Sequence, residues 1–305
     1  MWSILTSTKS FEDRWIAHAG LNDRGLHRRR MTAADFCARL RRAQCRIPED
    51  EHTRSFAEQG FVVVPDFLPP DAFATIADEA RARLAASEAH TPIPANEARG
   101  FGARRKAPWG FDRFDGGTLN RFVRIERGQS PALAAFTRSP RLAALARSRL
   151  GAAIPPRNIR LYLTVNGDET RTPDDQKVLH RDTFFSNIKF WYFIDAVTAD
   201  DGPFVYVPGS HRLTPARLAW EEMRAIRASA ARKVGIIGTE GAFRIEAEEL
   251  AGLGLPPPVS VTVPANSLVM ADTLGFHRRG DAVPGTQRLA LYGSVRPWPF
   301  GLIRR

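Results

Sequence analysis

The spacing of hydrophobic residues along the chain changes near residue 154. Upstream of it, apolar residues recur every three or four positions, most clearly over 73–84, which predicts amphipathic helices. Serine–proline pairs at 130–131 and 139–140 each place a capping serine before a first-turn proline, and so predict the starts of two more helices. One short apolar run, Phe-Val-Val-Val over 61–64, predicts a buried strand among them.

Downstream of residue 154 the pattern alternates, as expected for strands with one buried face. Ile159, Leu161 and Leu163 alternate with Arg160 and Tyr162, and successive side chains of a strand point to opposite faces. Helices followed by many short strands predict an α+β fold with an antiparallel barrel or a double-sheet jelly roll. A helical segment at 214–232 interrupts the further strands, which are predicted over 187–196, 204–207, 259–263, 267–271 and 288–296.

The domain organisation expected from these patterns is a helical N-terminal extension over 1–58 and a β-rich domain over 59–305, packed as one compact unit. Hydrophobic residues make up 43% of the 305, which excludes a mainly disordered chain. No apolar run reaches the roughly 20 residues of a membrane helix, and the N-terminus lacks the features of a signal peptide. We therefore expect a cytoplasmic protein. Cys37 and Cys45 lack the spacing of a zinc site and are expected to be reduced thiols.

A formal net charge of +11 makes nucleic-acid binding one hypothesis to weigh. Nearly all of the 44 basic residues are arginines that are spread along the chain, and they match no homeodomain, zinc-finger or RNP pattern. A solvated basic surface explains the charge better, and no nucleic-acid partner is expected. A basic cavity mouth that attracts an anionic small molecule is a second reading of the same charge.

The tripeptide His180-Arg181-Asp182 stands immediately before an aromatic strand. Residues two apart in an extended chain point to the same side, so the imidazole and the carboxylate converge while Arg181 faces away. One histidine and one carboxylate are two of the three ligands in the facial triad that holds Fe(II) in non-haem oxygenases. On its own the tripeptide is weak evidence, because chance supplies it often.

A third ligand would have to come from a distant strand, and His277 follows the predicted strand at 267–271. Eleven residues later, Arg288 begins the next strand and shares one face with Tyr292 and Ser294. A buried arginine needs an anionic partner, and its guanidinium fork fits a carboxylate. The distal carboxylate of 2-oxoglutarate would meet that need.

Taken in order, the motifs of this chain resemble the phytanoyl-CoA dioxygenase-like family of Fe(II)/2-oxoglutarate-dependent oxygenases. The resemblance spans about residues 55–297 and implies a double-stranded β-helix core, with the iron at one mouth of the barrel. The motifs that carry it are Gly60–Leu68, His180–Asp182, Gly202–His211, and His277 with Arg288.

The resemblance also implies site residues and an activity. His180, Asp182 and His277 would hold Fe(II), Arg288 would bind 2-oxoglutarate, and Trp191 would line the co-substrate pocket. The implied reaction uses O2 to hydroxylate a small molecule while 2-oxoglutarate is decarboxylated to succinate and CO2. Asp182 argues against a halogenase, in which a small residue leaves that position to chloride.

Arg279 and His211 are two further residues in these motifs. Arg279 stands where the family often has a serine that helps to hold 2-oxoglutarate, and His211, in a Pro-Gly-Ser-His turn, is interpreted as structural. The alternative protein classes are a non-catalytic jelly-roll protein that binds a small molecule and a basic nucleic-acid-associated protein. Candidate substrate walls are 99–115, where aromatics alternate with arginines, and 214–232; they favour a substrate with apolar and anionic parts.

Overall fold

Two antiparallel sheets form the centre of the molecule. The computed structural model describes residues 2–46, 49–89, 109–170, 173–234 and 241–302. Within those ranges the strands are β1 (Phe61–Val64), β2 (Gly110–Asp115), β3 (Thr118–Val123), β4 (Ile159–Val165), β5 (His180–Arg181), β6 (Ile188–Phe193), β7 (Phe204–Tyr206), β8 (Phe243–Arg244), β9 (Val259–Val261), β10 (Ser267–Asp272), β11 (His277–Arg279) and β12 (Gln287–Val295).

The strand order identifies the fold. The larger sheet has the order β1-β10-β6-β12-β4-β3-β2, and the smaller has the order β8-β5-β11-β7-β9. Most neighbours in each sheet are distant in sequence, because the chain passes repeatedly from one sheet to the other. This is a double-stranded β-helix, so the predicted α+β jelly roll is confirmed.

Side-chain alternation gives the larger sheet a packed outer face and a cavity-lining inner face. On β6, Ile188, Phe190 and Tyr192 are fully buried in the outer hydrophobic cluster. Lys189 and Trp191 point the other way and line the cavity between the sheets. Burial of each large apolar side chain contributes about 1.5–3 kcal/mol, and this outer cluster anchors the strands that carry the site.

Helices cover the sheets from outside. Apolar residues of α4 (Pro70–Glu88), α5 (Pro131–Phe136) and α6 (Pro140–Leu150) join the outer cluster of the larger sheet. As predicted, Ser139 caps α6 by accepting a hydrogen bond from the Leu142 amide at 3.3 Å, whereas the Ser130 side chain makes no such bond. No described helix is long and apolar enough to cross a membrane. The helices described are α1 (Ala19–Asn22), α2 (Leu26–Ala43), α3 (Glu51–Gln59), α4 (Pro70–Glu88), α5 (Pro131–Phe136), α6 (Pro140–Leu150), α7 (Pro215–Lys233) and α8 (Ala247–Gly252).

The N-terminal residues pack against the strand-bearing part of the chain. Phe11 and Ile16 lie in one hydrophobic cluster with Trp220 and Phe276. The domain boundary expected at residue 58 falls within α3. That helix ends at Gln59, directly before Gly60, whose backbone is left-handed.

Candidate metal centre and cavity

His180, Asp182 and His277 come together although the two histidines are 97 positions apart in sequence. β11 pairs with β5 in a register that sets His277 directly opposite His180. Asp182 lies on the same side as His180, and its ligand oxygens and the histidine nitrogens lie within 4.8 Å of one another. The Nε2 atoms of His180 and His277 each lie 3.9 Å from a carboxylate oxygen of Asp182. The predicted convergence of these three side chains is what the fold produces.

Backbone hydrogen bonds orient both imidazoles. Nδ1 of His180 lies 2.7 Å from the Val178 carbonyl, and Nδ1 of His277 lies 3.0 Å from the Gly275 carbonyl. A carbonyl only accepts, so each Nδ1–H donates and each Nε2 keeps its lone pair for the centre of the site. Burial lowers the pKa of His180, and it lowers the pKa of His277 to about 3. Both rings are therefore neutral near pH 7.

The Asp182 carboxylate stays ionised despite its burial. Burial alone would raise its pKa, but the Lys189 ammonium and the two histidines outweigh that effect and hold the pKa well below its ordinary value. Nζ of Lys189 lies 2.7 Å from Oδ2 of Asp182. The backbone of Asp182 is fixed too, because its carbonyl accepts a 2.6 Å hydrogen bond from Nζ of Lys9.

These three residues fit a divalent metal ion. Nε2 of His277 is buried and has no hydrogen-bond partner among the described residues, which costs free energy unless something ligates it. Two neutral imidazoles and one carboxylate make up the donor set that suits Fe(II) in a facial triad.

The triad lies at one side of a cavity of about 680 Å³ between the two sheets. The larger sheet contributes aromatic and basic side chains from five strands, β2, β3, β4, β6 and β12. The smaller sheet contributes Phe204, His277 and Arg279 in addition to His180. The cavity is large enough for a co-substrate and a small organic molecule together.

Arg288 lines this cavity, and no carboxylate of the described residues pairs with it. It is buried, its Nε makes no hydrogen bond, and burial lowers its pKa to about 10, so the guanidinium is still charged near pH 7. Thr164 stands directly opposite Arg288 in the β12–β4 register, on the same face, and its hydroxyl is also buried without a partner. An unpaired cation beside a free hydroxyl is a receptor for an anion such as a carboxylate.

Trp191 lines the cavity, as the family resemblance implies. Its ring centroid lies 4.9 Å from that of Phe204 and 5.8 Å from that of Tyr292. Phe204 in turn lies 5.9 Å from the His277 ring. These rings form an apolar wall next to the triad.

Arg279, the departure from the family pattern, is fully engaged by protein groups. Its guanidinium contacts Asp174 at 2.5 Å, Asn120 at 2.9 Å and Asp115 at 3.3 Å. These partners hold it against the cavity wall, so its charge is neutralised locally, unlike that of Arg288. His211 is held within the protein as well: its Nε2 donates to the Ala57 carbonyl at 3.2 Å.

Of the two segments predicted to form substrate walls, 99–115 and 214–232, only the first contributes described residues to the cavity lining. Residues 99–108 lie outside the described residues, but Phe111 and Arg113 of β2 do line the cavity. The prediction for 214–232 is wrong: α7 lies on the far side of β5, against α1 and α2, and contributes nothing to the lining found among the described residues.

Sequence reasoning missed two lysines, Lys9 and Lys189, that contact Asp182. For Lys189 a signal existed, because it lies two residues before Trp191 and therefore on the same face of β6. For Lys9 no local pattern could have shown a contact across 173 residues of sequence.

Several solved structures are similar to this chain, and the first one below supports the fold. EctD from S. alaskensis, solved with 2-oxoglutarate and 5-hydroxyectoine, superposes with a TM-score of 0.50 at 16% identity, covering 82% of this chain and 76% of that one. The epimerase SnoN, solved with Fe3+, alpha ketoglutarate and nogalamycin RO, gives a TM-score of 0.49 at 19% identity, covering 80% and 81%. AviO1 from Streptomyces viridochromogenes Tue57 gives 0.45 at 16% identity, covering 83% and 97%.

Comparison by sequence identifies the family of the chain. No curated protein matches the chain significantly. The profile of the phytanoyl-CoA dioxygenase (PhyH) family, however, matches residues 56–235, which is more than half of the chain and includes His180, Asp182 and Trp191. The chain therefore belongs to the phytanoyl-CoA dioxygenase family.

Proposed function

We propose that this protein hydroxylates a small organic molecule, with His180, Asp182 and His277 as the ligands of Fe(II) and Arg288 as the anchor for 2-oxoglutarate. Family membership gives the class, an iron- and 2-oxoglutarate-dependent enzyme. The observation that carries the residue assignment is the convergence of two neutral Nε2 atoms and one ionised carboxylate within 4.8 Å.

Fe(II) and 2-oxoglutarate, when bound, supply the oxidising power: O2 oxidises 2-oxoglutarate to succinate and CO2, and its second oxygen atom enters a substrate C–H bond as hydroxyl. The chain's own part is to prepare the site. Val178 and Gly275 hold the two imidazoles in the tautomer that offers Nε2. Because burial lowers the pKa of both histidines, protons do not compete for those nitrogens near pH 7.

Arg288 and the aromatic wall, which consists of Trp191, Phe204 and Tyr292, have different roles in the cavity. The unpaired guanidinium attracts the distal carboxylate, and its fork fixes the orientation of that group. Trp191, Phe204 and Tyr292 exclude water from the space beside the triad, which favours attack on substrate over side reactions.

An anaerobic titration tests the assignment. The wild-type protein should show a weak visible charge-transfer band when Fe(II) and 2-oxoglutarate are both present. His277→Ala should lose the band and, in a separate assay in air, Fe(II)-dependent succinate formation, while keeping its far-UV circular dichroism, because a triad without one arm loses affinity and geometry.

His52→Ala is the matched control, since His52 lies in α3 and does not line the cavity. It should behave as the wild type. A His277→Ala protein that forms succinate at the wild-type rate would refute the third ligand. If the wild-type protein shows no band, the protein is instead a non-catalytic binding protein.

A further inference from the structure

The inner face of β12 runs through the cavity from one basic end to another. Arg288, Tyr292 and Ser294 lie on one face of β12, the exposed Arg296 directly follows the strand, and all four line the cavity. At about 3.3 Å per residue, the Cα atoms of Arg288 and Arg296 are roughly 26 Å apart. The aromatic wall lies between them, because Trp191 stands opposite Tyr292 in the β12–β6 register.

Several cations gather at the Arg296 end. Lys189 stands opposite Ser294 on the neighbouring strand β6. Arg157 lies in the turn before β4, and that turn is tied to β12 because the Asn158 side chain donates to the Ser294 carbonyl at 3.1 Å. Arg157, Lys189 and Arg296 all line the cavity. We call these three residues the outer basic cluster.

The outer basic cluster is short of negative charge. Within the described ranges, neither Arg157 nor Arg296 forms an ion pair or a side-chain hydrogen bond. Lys189 pairs only with Asp182, the residue assigned to the metal. Arg296 is also close enough to oppose the charge of Lys189 and of Lys9. Like charges that face one concave space without counter-ions are stabilised by a bound anion.

We infer that the outer basic cluster is the subsite for an acidic group of the primary substrate, and that the substrate is an organic phosphate, sulfate or carboxylate with a flat apolar body. The inference rests on the proposed function, because it assigns the Arg288 end to 2-oxoglutarate.

The middle of the cavity suits the apolar body. The Phe111 and Phe122 rings are stacked with centroids 4.7 Å apart, and the Phe122 and Tyr162 rings are stacked at 4.6 Å. Tyr292 lies 5.4 Å from Tyr162 and completes the wall. Such rings bind flat apolar groups, and the basic cluster beyond them orients the acidic end.

Calorimetry on the anaerobic protein, loaded with Fe(II) and saturated with 2-oxoglutarate, tests the inference with naphthyl phosphate and naphthol as probes. Naphthyl phosphate should bind at least tenfold more tightly than naphthol, a difference of about 1.4 kcal/mol. The double variant Arg157→Gln/Arg296→Gln should lose that difference and keep its affinity for naphthol. Arg227→Gln, an exposed arginine of α7 outside the cavity lining, is the charge-matched control and should leave both affinities unchanged.

Two results would overturn the inference. One is equal affinity of the wild type for both probes. The other is a loss of naphthyl phosphate binding in Arg288→Gln, with no loss in the double variant, because the probe would then occupy the co-substrate end. Failure of the proposed function is recognised separately, since the charge-transfer band with Fe(II) and 2-oxoglutarate would already be absent before any probe is added.

Discussion

Two sets of buried arginines lie on opposite sides of β5, Arg181 with Arg217 on one side and Arg288 on the other, and they differ in whether a carboxylate pairs with them. On the helical side, Arg181 and Arg217 both bind the buried carboxylate of Glu221, which also lies 3.0 Å from His27 Nε2. We call this set the Glu221 network. On the cavity side, Arg288 has no carboxylate partner in the described part of the chain.

This difference in pairing suggests a structural role for the Glu221 network and a ligand-binding role for Arg288. In the Glu221 network the two guanidinium groups share one carboxylate and have further protein acceptors: Arg181 also donates to the Gly241 carbonyl, and Arg217 donates to the carbonyls of Ser210 and Leu274. A compensated network joins α2, α7 and β5 but offers nothing to a ligand. An uncompensated buried cation is costly to the free protein, and binding of an anion recovers that cost.

The largest effect should follow from removing the centre of the Glu221 network. Glu221→Ala leaves two buried guanidinium groups without their carboxylate, so we expect a loss of about 3–5 kcal/mol in the free energy of unfolding. Urea unfolding followed by circular dichroism measures it. Glu222→Ala, next in sequence and only 3.6 Å from Arg28 in a partly exposed pair, should change stability by less than about 1 kcal/mol. Similar losses in both variants would refute the comparison.

A smaller effect concerns pH and His211, a buried histidine outside the cavity lining. Burial lowers the pKa of His211 to about 3, against an ordinary value near 6.5. Between about pH 6.5 and 3, His211 is protonated in the unfolded chain but not in the native state. The free energy of unfolding therefore falls as pH drops through that range. Between pH 6.5 and 5 this residue costs roughly 2 kcal/mol, at about 1.4 kcal/mol per pH unit.

Urea unfolding at pH 7 and pH 5 checks that value. His211→Gln keeps a donor for the Ala57 carbonyl but cannot titrate, so its stability should fall less between the two pH values than that of the wild type. The difference between the two proteins isolates His211 from the other buried histidines. Equal losses of stability in the two proteins would show that the pKa of His211 is not lowered in the native state.

Much of the fold could be predicted because alternation has local causes. The pattern in β4 and β12 predicts which side chains face the cavity, and the structure agrees for Tyr162, Arg288 and Tyr292. The pairing of β5 with β11 could not be read from local pattern, because strand partners far apart in sequence are chosen by packing. The facing of Arg181 away from the site was predicted, but its partner Glu221 was not.

The site divides in the same way. The residue types at 180, 182, 277 and 288 point to their chemistry because a metal or an anion requires them. The role expected for 214–232 failed because an amphipathic helix next to a cavity-forming domain can cover either side of it. Here α7 packs away from the cavity, with Trp220 in the hydrophobic cluster that includes Phe276 and with Glu221 paired to Arg181.

Arg288→Lys sharpens the comparison at the cavity side. Lysine keeps the charge but loses the planar fork, so the KM for 2-oxoglutarate should rise by about tenfold or more, while Fe(II) affinity barely changes. Steady-state kinetics with varied 2-oxoglutarate measures it. Arg278→Lys is a control in the same cavity, because Arg278 already has a 3.5 Å contact with Asp281. An unchanged KM for 2-oxoglutarate, with a raised KM for the primary substrate, would move Arg288 to the substrate subsite.

The smallest effect is expected at Lys9, which lies between the two kinds of region. Its ammonium is buried and compensated by a backbone carbonyl, that of Asp182, yet it is also close to Lys189 and Arg296. Burial lowers its pKa to about 8, so it is still mostly charged at pH 7. Lys9→Met removes one hydrogen bond worth about 0.5–1.5 kcal/mol but also relieves repulsion, and the two effects partly cancel. We expect Fe(II) affinity, measured by anaerobic titration, to fall no more than about fivefold, with Lys233→Met at the end of α7 as the control. A loss as large as that of His277→Ala would instead make the N-terminal segment essential to the metal centre, because the Asp182 backbone would then depend on Lys9 for its position.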